Sequence, residues 1–152
     1  NRSKKRNYSG PIAEDGLDTC VISELVKATP DAGVVEWISQ TDEEHLFLSV
    51  LSLGELEKGI ARLSDGAKKR KLTQWLAQDV CRRFEGRILG LDADVLLAWG
   101  RIAGESESHG RPLPVMDSLF AATAAHHQLV LVTRNTDDVS GLGVDVLNPW
   151  RS

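Results

Sequence analysis

The chain has 152 residues, with 18 Lys and Arg against 22 Asp and Glu, a formal balance of −4. That length suits one domain with a sizeable core, and a hydrophobic share of 41% excludes general disorder. No stretch approaches the ~18 apolar residues of a membrane span, two cysteines make neither a disulfide scaffold nor a zinc site, and net acidity argues against holding nucleic acid by bulk charge.

Residues 1–16 carry Arg2, Lys4, Lys5 and Arg6 ahead of Ser9-Gly10-Pro11, with no apolar period, and read as a basic flexible arm. The chain opens on Asn rather than Met, so part of that arm is expected to be foreign to the natural sequence. Residues 17–152 form the expected domain. Val21, Ile22, Leu25 and Val26 have helical spacing. Pro30 and Asp31 open a second helix, with Val34, Val35 and Ile38 on one face. Residues 46–50 form a short apolar run that suits a buried strand. Leu53, Leu56, Ile60 and Leu63 then return to a helical period, with Glu55 and Glu57 between them.

Residues 68–84 make an amphipathic helix lined by Leu72, Trp75, Leu76, Val80 and Phe84. Its other face, Lys68-Lys69-Arg70-Lys71 with Arg82 and Arg83, joins Arg87 in a basic surface able to follow an RNA backbone or simply to stay solvated. Residues 87–91 read as a second strand. Asp92 caps a helix whose apolar positions are Val95, Ala98, Trp99, Ile102 and Ala103. An Ala-rich helix over 117–127, a strand over 129–133 and a short strand over 144–147 complete the chain. Strands alternating with helices predict an α/β protein, a three-layer α/β/α domain around a mostly parallel sheet.

In such a sheet, ligands bind beyond the carboxyl ends of the strands. Asp18, Glu55, Asp117 and the Asp137-Asp138 pair all fall at such places. Gathered carboxylates repel one another, and hard divalent ions such as Mg2+ or Mn2+ make the gathering tolerable. Two such ions roughly 3.5–4 Å apart can activate a water and stabilise a leaving oxygen. Each acid also has a plainer reading: Asp18, Asp92 and Asp117 as helix caps, Glu55 as a wet helix face, Asp138 as a turn residue. Spacing leaves both readings open.

The residues around the acids carry more. Leu17-Asp18-Thr19-Cys20-Val21-Ile22-Ser23-Glu24-Leu25 resembles the opening motif of the PIN-domain family, in its VapC/FitB-like toxin branch. Residues 49–59, with Gly54-Glu55-Leu56, are similar to the second motif, and 110–124, with Val115-Met116-Asp117-Ser118, to the third. Thr133-Arg134-Asn135-Thr136-Asp137-Asp138 resembles the fourth, and Leu147-Asn148-Pro149-Trp150 an ending typical of the branch.

The resemblance implies a metal-dependent endoribonuclease toxin of a type II toxin–antitoxin pair, working in the cytoplasm without a membrane. Asp18, Glu55 and Asp117, with Asp138 as a fourth acid, would hold Mg2+ or Mn2+. An ion-activated water would then cut RNA to leave 5′-phosphate and 3′-hydroxyl ends. Thr133, Asn135 and Ser23 would support the acids, and Arg134 would contact a phosphate. The implied partners are a cognate antitoxin, operator DNA reached through it, and a second copy in a homodimer or hetero-oligomer.

Two departures support a competing expectation, a catalytically weak partner that serves DNA binding within the complex. Cys20 stands where the family often has Asn. Ala13-Glu14-Asp15-Gly16-Leu17 is a poor central strand, so a shortened or replaced strand would leave Asp18 badly held. A phosphatase using Asp18 as nucleophile would want a second acid where Cys20 stands.

Overall fold

The computed structural model describes residues 14–139 and 141–151. Five strands form one sheet in the order β3-β2-β1-β4-β5, every pair parallel. They are β1 (Asp15–Leu17), β2 (Leu46–Ser49), β3 (Ile88–Leu89), β4 (Val130–Val132) and β5 (Val146–Leu147). Helices α1 (Thr19–Leu25) and α2 (Ala32–Ser39) link β1 to β2, and α3 (Val50–Ala61) follows β2 without a break. Next comes α4 (Ala67–Gln74), running on through a π-helical stretch (Trp75–Val80) into a last turn (Cys81–Arg83). Helices α5 (Ala93–Ser108) and α6 (Val115–His126) fill the crossover from β3 to β4, and α7 (Thr136–Val139) follows β4. Among the described residues no helix is long and apolar enough to cross a membrane.

Strand alternation divides the core in two. Leu17, Leu46, Leu48, Val130 and Val132 face the layer of α1, α2, α3 and the α4 rod, where Val21, Val34, Trp37, Leu56 and Val80 meet them. Leu131 faces the opposite layer with Phe120, Ala121 and Ala124 of α6, against which Phe47 and Leu89 also pack. Apolar residues on both sheet faces are what a fully covered parallel sheet requires.

The weak first strand is nevertheless central. β1 pairs with β2 on one side and β4 on the other, so Asp15 and Gly16, read above as part of the arm, are strand residues. The rest of the expected arm, 1–13, lies outside the described residues. Gly16 belongs there because the opposite layer comes close: a Cβ would stand 3.2 Å from Leu129 Cδ1. Asp15 is fully buried on the other face. Three more details differ from expectation. Val35 is exposed, while Val34 is buried as expected and Trp37 joins it. Ile88–Leu89 is a shorter strand than 87–91. Asp117 is the third residue of α6 rather than its cap, the N-cap position being Pro114.

The chain end is tied to the α1–α2 corner. Buried Glu24 accepts from Lys27 Nζ at 2.9 Å and from the Asp31 N–H at 2.9 Å, and these bonds, Lys27 foremost, hold its carboxyl below the usual range. Asp31 in turn caps α2 through the Val34 N–H and accepts from the Arg151 N–H, each at 3.1 Å. Burial pushes the Asp31 carboxyl up, but the N–H groups of Arg151, Val34 and Gly33 bring it below its ordinary value. Gly33 permits this docking: a Cβ there would meet Pro149 O at 2.5 Å and Arg151 N at 2.9 Å.

Gly33→Ala is therefore expected to cost about 1–3 kcal/mol through overpacking against backbone, outweighing a helix-propensity gain of about 1 kcal/mol. Gly59→Ala in α3, where a Cβ meets nothing within 4 Å, is expected to gain about 0.5–1 kcal/mol. Urea unfolding of both variants checks the contrast; equal effects would refute it.

Candidate active site

The strand order reverses between β1 and β4, and that switch point is where an open parallel sheet leaves a crevice. Asp18 follows β1 directly there. Its N–H donates to Val132 O at 2.9 Å, extending the β1–β4 ladder by one bond. Asp18 Oδ1 accepts from the Thr19 N–H at 2.7 Å, capping α1. Asp18 Oδ2 accepts from the Thr133 hydroxyl at 2.7 Å, and Thr133 Oγ1 accepts from the Asn135 N–H at 3.0 Å. Both carboxylate oxygens are thus held, one from each side of the switch point. The expected loosely held Asp18 is not found, because backbone pairing rather than side-chain hydrophobicity keeps β1 in the sheet.

Glu55 reaches the same place from the second turn of α3. The Thr19 hydroxyl donates to its Oε1 at 2.6 Å, and Ser52 Oγ lies 2.9 Å from Thr19 Oγ1. Asp117 comes from the first turn of α6, and Asp138 from α7 after β4. The carboxyl of Asp117 is raised above its ordinary value, first by burial and then by the charges of Asp138, Asp18 and Glu55, with a hydrogen bond to Asp138 adding to it. Four acids from four separate segments therefore share one electrostatic field. Among the described residues no three His, Cys, Asp or Glu side chains converge into a ready-made metal cage. The donor set, all carboxylate oxygen with hydroxyl support, fits a hard divalent ion that keeps several of its own waters.

The supporting residues sort unevenly. Thr133 touches Asp18, and Asn135 contributes its backbone N–H. Ser23 makes no side-chain hydrogen bond to this cluster among the described residues; Thr19 and Ser52 supply the hydroxyls instead. The available signal was Ser52 three residues ahead of Glu55 on one helix, and Thr19 just past the cap. Arg134 is exposed, with its guanidinium 5.5 Å from the Trp150 ring centre. Cys20 Sγ lies 3.9 Å from Thr133 Oγ1. Burial and the Asp18 charge push its thiol up to about 11, so it stays protonated and unreactive near neutral pH.

The basic surface divides as well. Arg87 donates to Leu46 O at 2.7 Å and lies over the Phe84 ring, and Arg83 pairs with Glu43, so both serve the fold. Lys69 lies 3.6 Å from Asp65. Lys68, Arg70 and Lys71 are exposed with no ion pair among the described residues.

Fold and acidic edge together define a doubly wound α/β domain with an oxygen-rich site at its switch point. The sequence model of the PIN domain matches residues 17–140. Toxin FitB of Neisseria gonorrhoeae is 37% identical over 134 residues, 88% of this chain and 96% of FitB. The VapC ribonuclease Y4jK of Sinorhizobium fredii is 34% identical over the same shares. The solved structure of FitAB bound to the IR36 DNA fragment superposes with a TM-score of 0.86 at 34% identity, covering 91% of this chain and 96% of that one. This chain belongs to the PIN domain family, on the branch of the FitB and VapC toxins.

The raised Asp117 value carries a sign. A carboxyl whose folded value lies above its unfolded one favours folding while protonated, and that advantage is lost as pH rises through the folded value. With chelator present, Asp117→Asn is expected to raise Tm near neutral pH. The gain should shrink as pH falls from neutral and the wild-type group protonates. Thermal melts across that range check it; no gain at any pH would contradict the shared field.

Proposed function

We propose that this chain is a metal-dependent endoribonuclease, the toxin of a toxin–antitoxin pair, and that Asp18, Glu55, Asp117 and Asp138 form its reaction centre. The observation that carries the reading is the field shared by those four acids at the switch point, where the charges of Asp138, Asp18 and Glu55 add to burial in raising Asp117. Kinship with a protein named a VapC ribonuclease supports RNA as the substrate. Kinship with FitB, solved as FitAB on a DNA fragment, supports an antitoxin partner and operator DNA reached through it.

In this reading Asp18 and Asp117 hold Mg2+ or Mn2+, with Glu55 and Asp138 completing the set. When bound, the ion supplies an acidified water and charge opposite the leaving oxygen of a phosphodiester. The chain's own residues do the rest. Thr133 and the α1 N-terminus fix Asp18, so its oxygens need no reorganisation when substrate arrives. Asn135 fixes Thr133. Arg134, at the edge of the site, meets an RNA phosphate with a guanidinium already steadied on Trp150. The competing reading, a silent nuclease acting only in DNA binding, rested on a replaced first strand and on Cys20; β1 is in place, and Cys20 sits 3.9 Å from the Thr133 hydroxyl.

Purified protein freed of any antitoxin is expected to cleave RNA with Mn2+ or Mg2+ and not with chelator. Asp18→Asn and Asp117→Asn should each lose at least about 100-fold in rate, with circular dichroism unchanged. Undiminished cleavage by both variants, with contaminating nuclease excluded, would sink the proposal.

A further inference from the structure

Thr19 bonds two of the acids at once. Its N–H donates to Asp18 Oδ1 at 2.7 Å and its hydroxyl to Glu55 Oε1 at 2.6 Å. Ser52 Oγ, 2.9 Å from Thr19 Oγ1, belongs to a fully buried residue and makes no other side-chain hydrogen bond among the described residues.

A hydroxyl has one proton to give. The Thr19 proton goes to Glu55, where the acceptor is charged and the distance shorter, since charge-assisted bonds are the stronger ones. Ser52 must then donate to Thr19 Oγ1, because a buried hydroxyl left without an acceptor is costly. The direction of the chain is thereby fixed, from Ser52 to Thr19 to Glu55. Oε1 of Glu55 is occupied and Oε2 has no hydrogen bond among the described residues.

We propose that Thr19 and Ser52 are a positioning pair, which sets the Glu55 carboxylate against Asp18 and leaves its second oxygen free to face the ion. Ser52 and Glu55 ride on α3, whereas Thr19 and Asp18 sit at the β1–α1 junction. The hydroxyl chain is thus the link that registers one half of the acidic edge to the other. This inference rests on the reading of the acids as an ion site, and its test separates the two.

Mn2+ affinity is measured by isothermal titration and RNA cleavage by initial rates, for wild type, Thr19→Val, Thr19→Ser, Ser52→Ala, Glu55→Gln and the Thr19→Val/Glu55→Gln double variant. Thr19→Val should weaken Mn2+ binding and lower kcat by roughly 10–100-fold, the usual effect of losing a ligand's hydrogen-bond partner, with KM for RNA little changed. Thr19→Ser, which keeps the hydroxyl, should restore most of both, and Ser52→Ala should fall between. In the Glu55→Gln background Thr19→Val should cost little more, since residues acting through one group are not additive. Wild-type Mn2+ affinity and kcat in Thr19→Val would overturn the proposal, as would a full additional loss in the double variant. A wild type that binds Mn2+ yet cuts no RNA would defeat the nuclease reading alone, while the Mn2+ affinities still decide the role of the pair.

Discussion

The hydrogen bond from Thr133 to Asp18 is the contact on which the site depends, because it crosses the seam where the chain changes direction in the sheet. Thr133 directly follows β4 and Asp18 directly follows β1, and the bond Asp18 N–H to Val132 O beside it makes their separation a consequence of strand register. Once that register is set, everything downstream is short-range geometry. The α1 N-terminus meets the other oxygen of Asp18, Thr19 passes the register to Glu55 on α3, and Asn135 holds the hydroxyl that holds Asp18.

Hydrogen bonds set the positions of the acids but do not neutralise them. A bond to a charged group is worth about 1.5–3 kcal/mol, whereas two unit charges 4 Å apart repel by about 4 kcal/mol at an effective dielectric near 20. With several carboxylates at one edge, repulsion wins unless a proton or a cation intervenes. Burial first, and then the charges of Asp138, Asp18 and Glu55, raise the Asp117 carboxyl above its ordinary value. A divalent ion would relieve the same strain and reverse the local sign where an RNA phosphate must approach. The bulk charge of −4 therefore says little about nucleic acid at this edge.

Much of the architecture was legible because it rests on local periodicity. Asp31 and Asp92 cap the helices expected of them, and the apolar positions of α3 and of the α4 rod face the core. β1 was not legible. A three-residue strand containing a buried Asp and a Gly carries no hydrophobic run, and only Leu129, more than a hundred residues away, explains the Gly. The same holds for charge: Arg83 and Arg87 look like Lys68 or Lys71 in the sequence, and distant Glu43 and Leu46 make them structural. For the acids the sequence supplied the names, through motif resemblance. That Thr19, and not the expected Ser23, brings a hydroxyl to Glu55 needed the actual disposition of α1 against α3.

The central claim is that the acids at the β1–β4 seam are one cation site, and anomalous diffraction from crystals grown with Mn2+ reads that directly. The account predicts a manganese peak coordinated by Asp18 and Asp117, next to Glu55 and Asp138, that is absent from Asp117→Asn crystals grown the same way. Ordered crystals with all four side chains defined at saturating Mn2+ and no peak between Asp18 and Asp117 would contradict it.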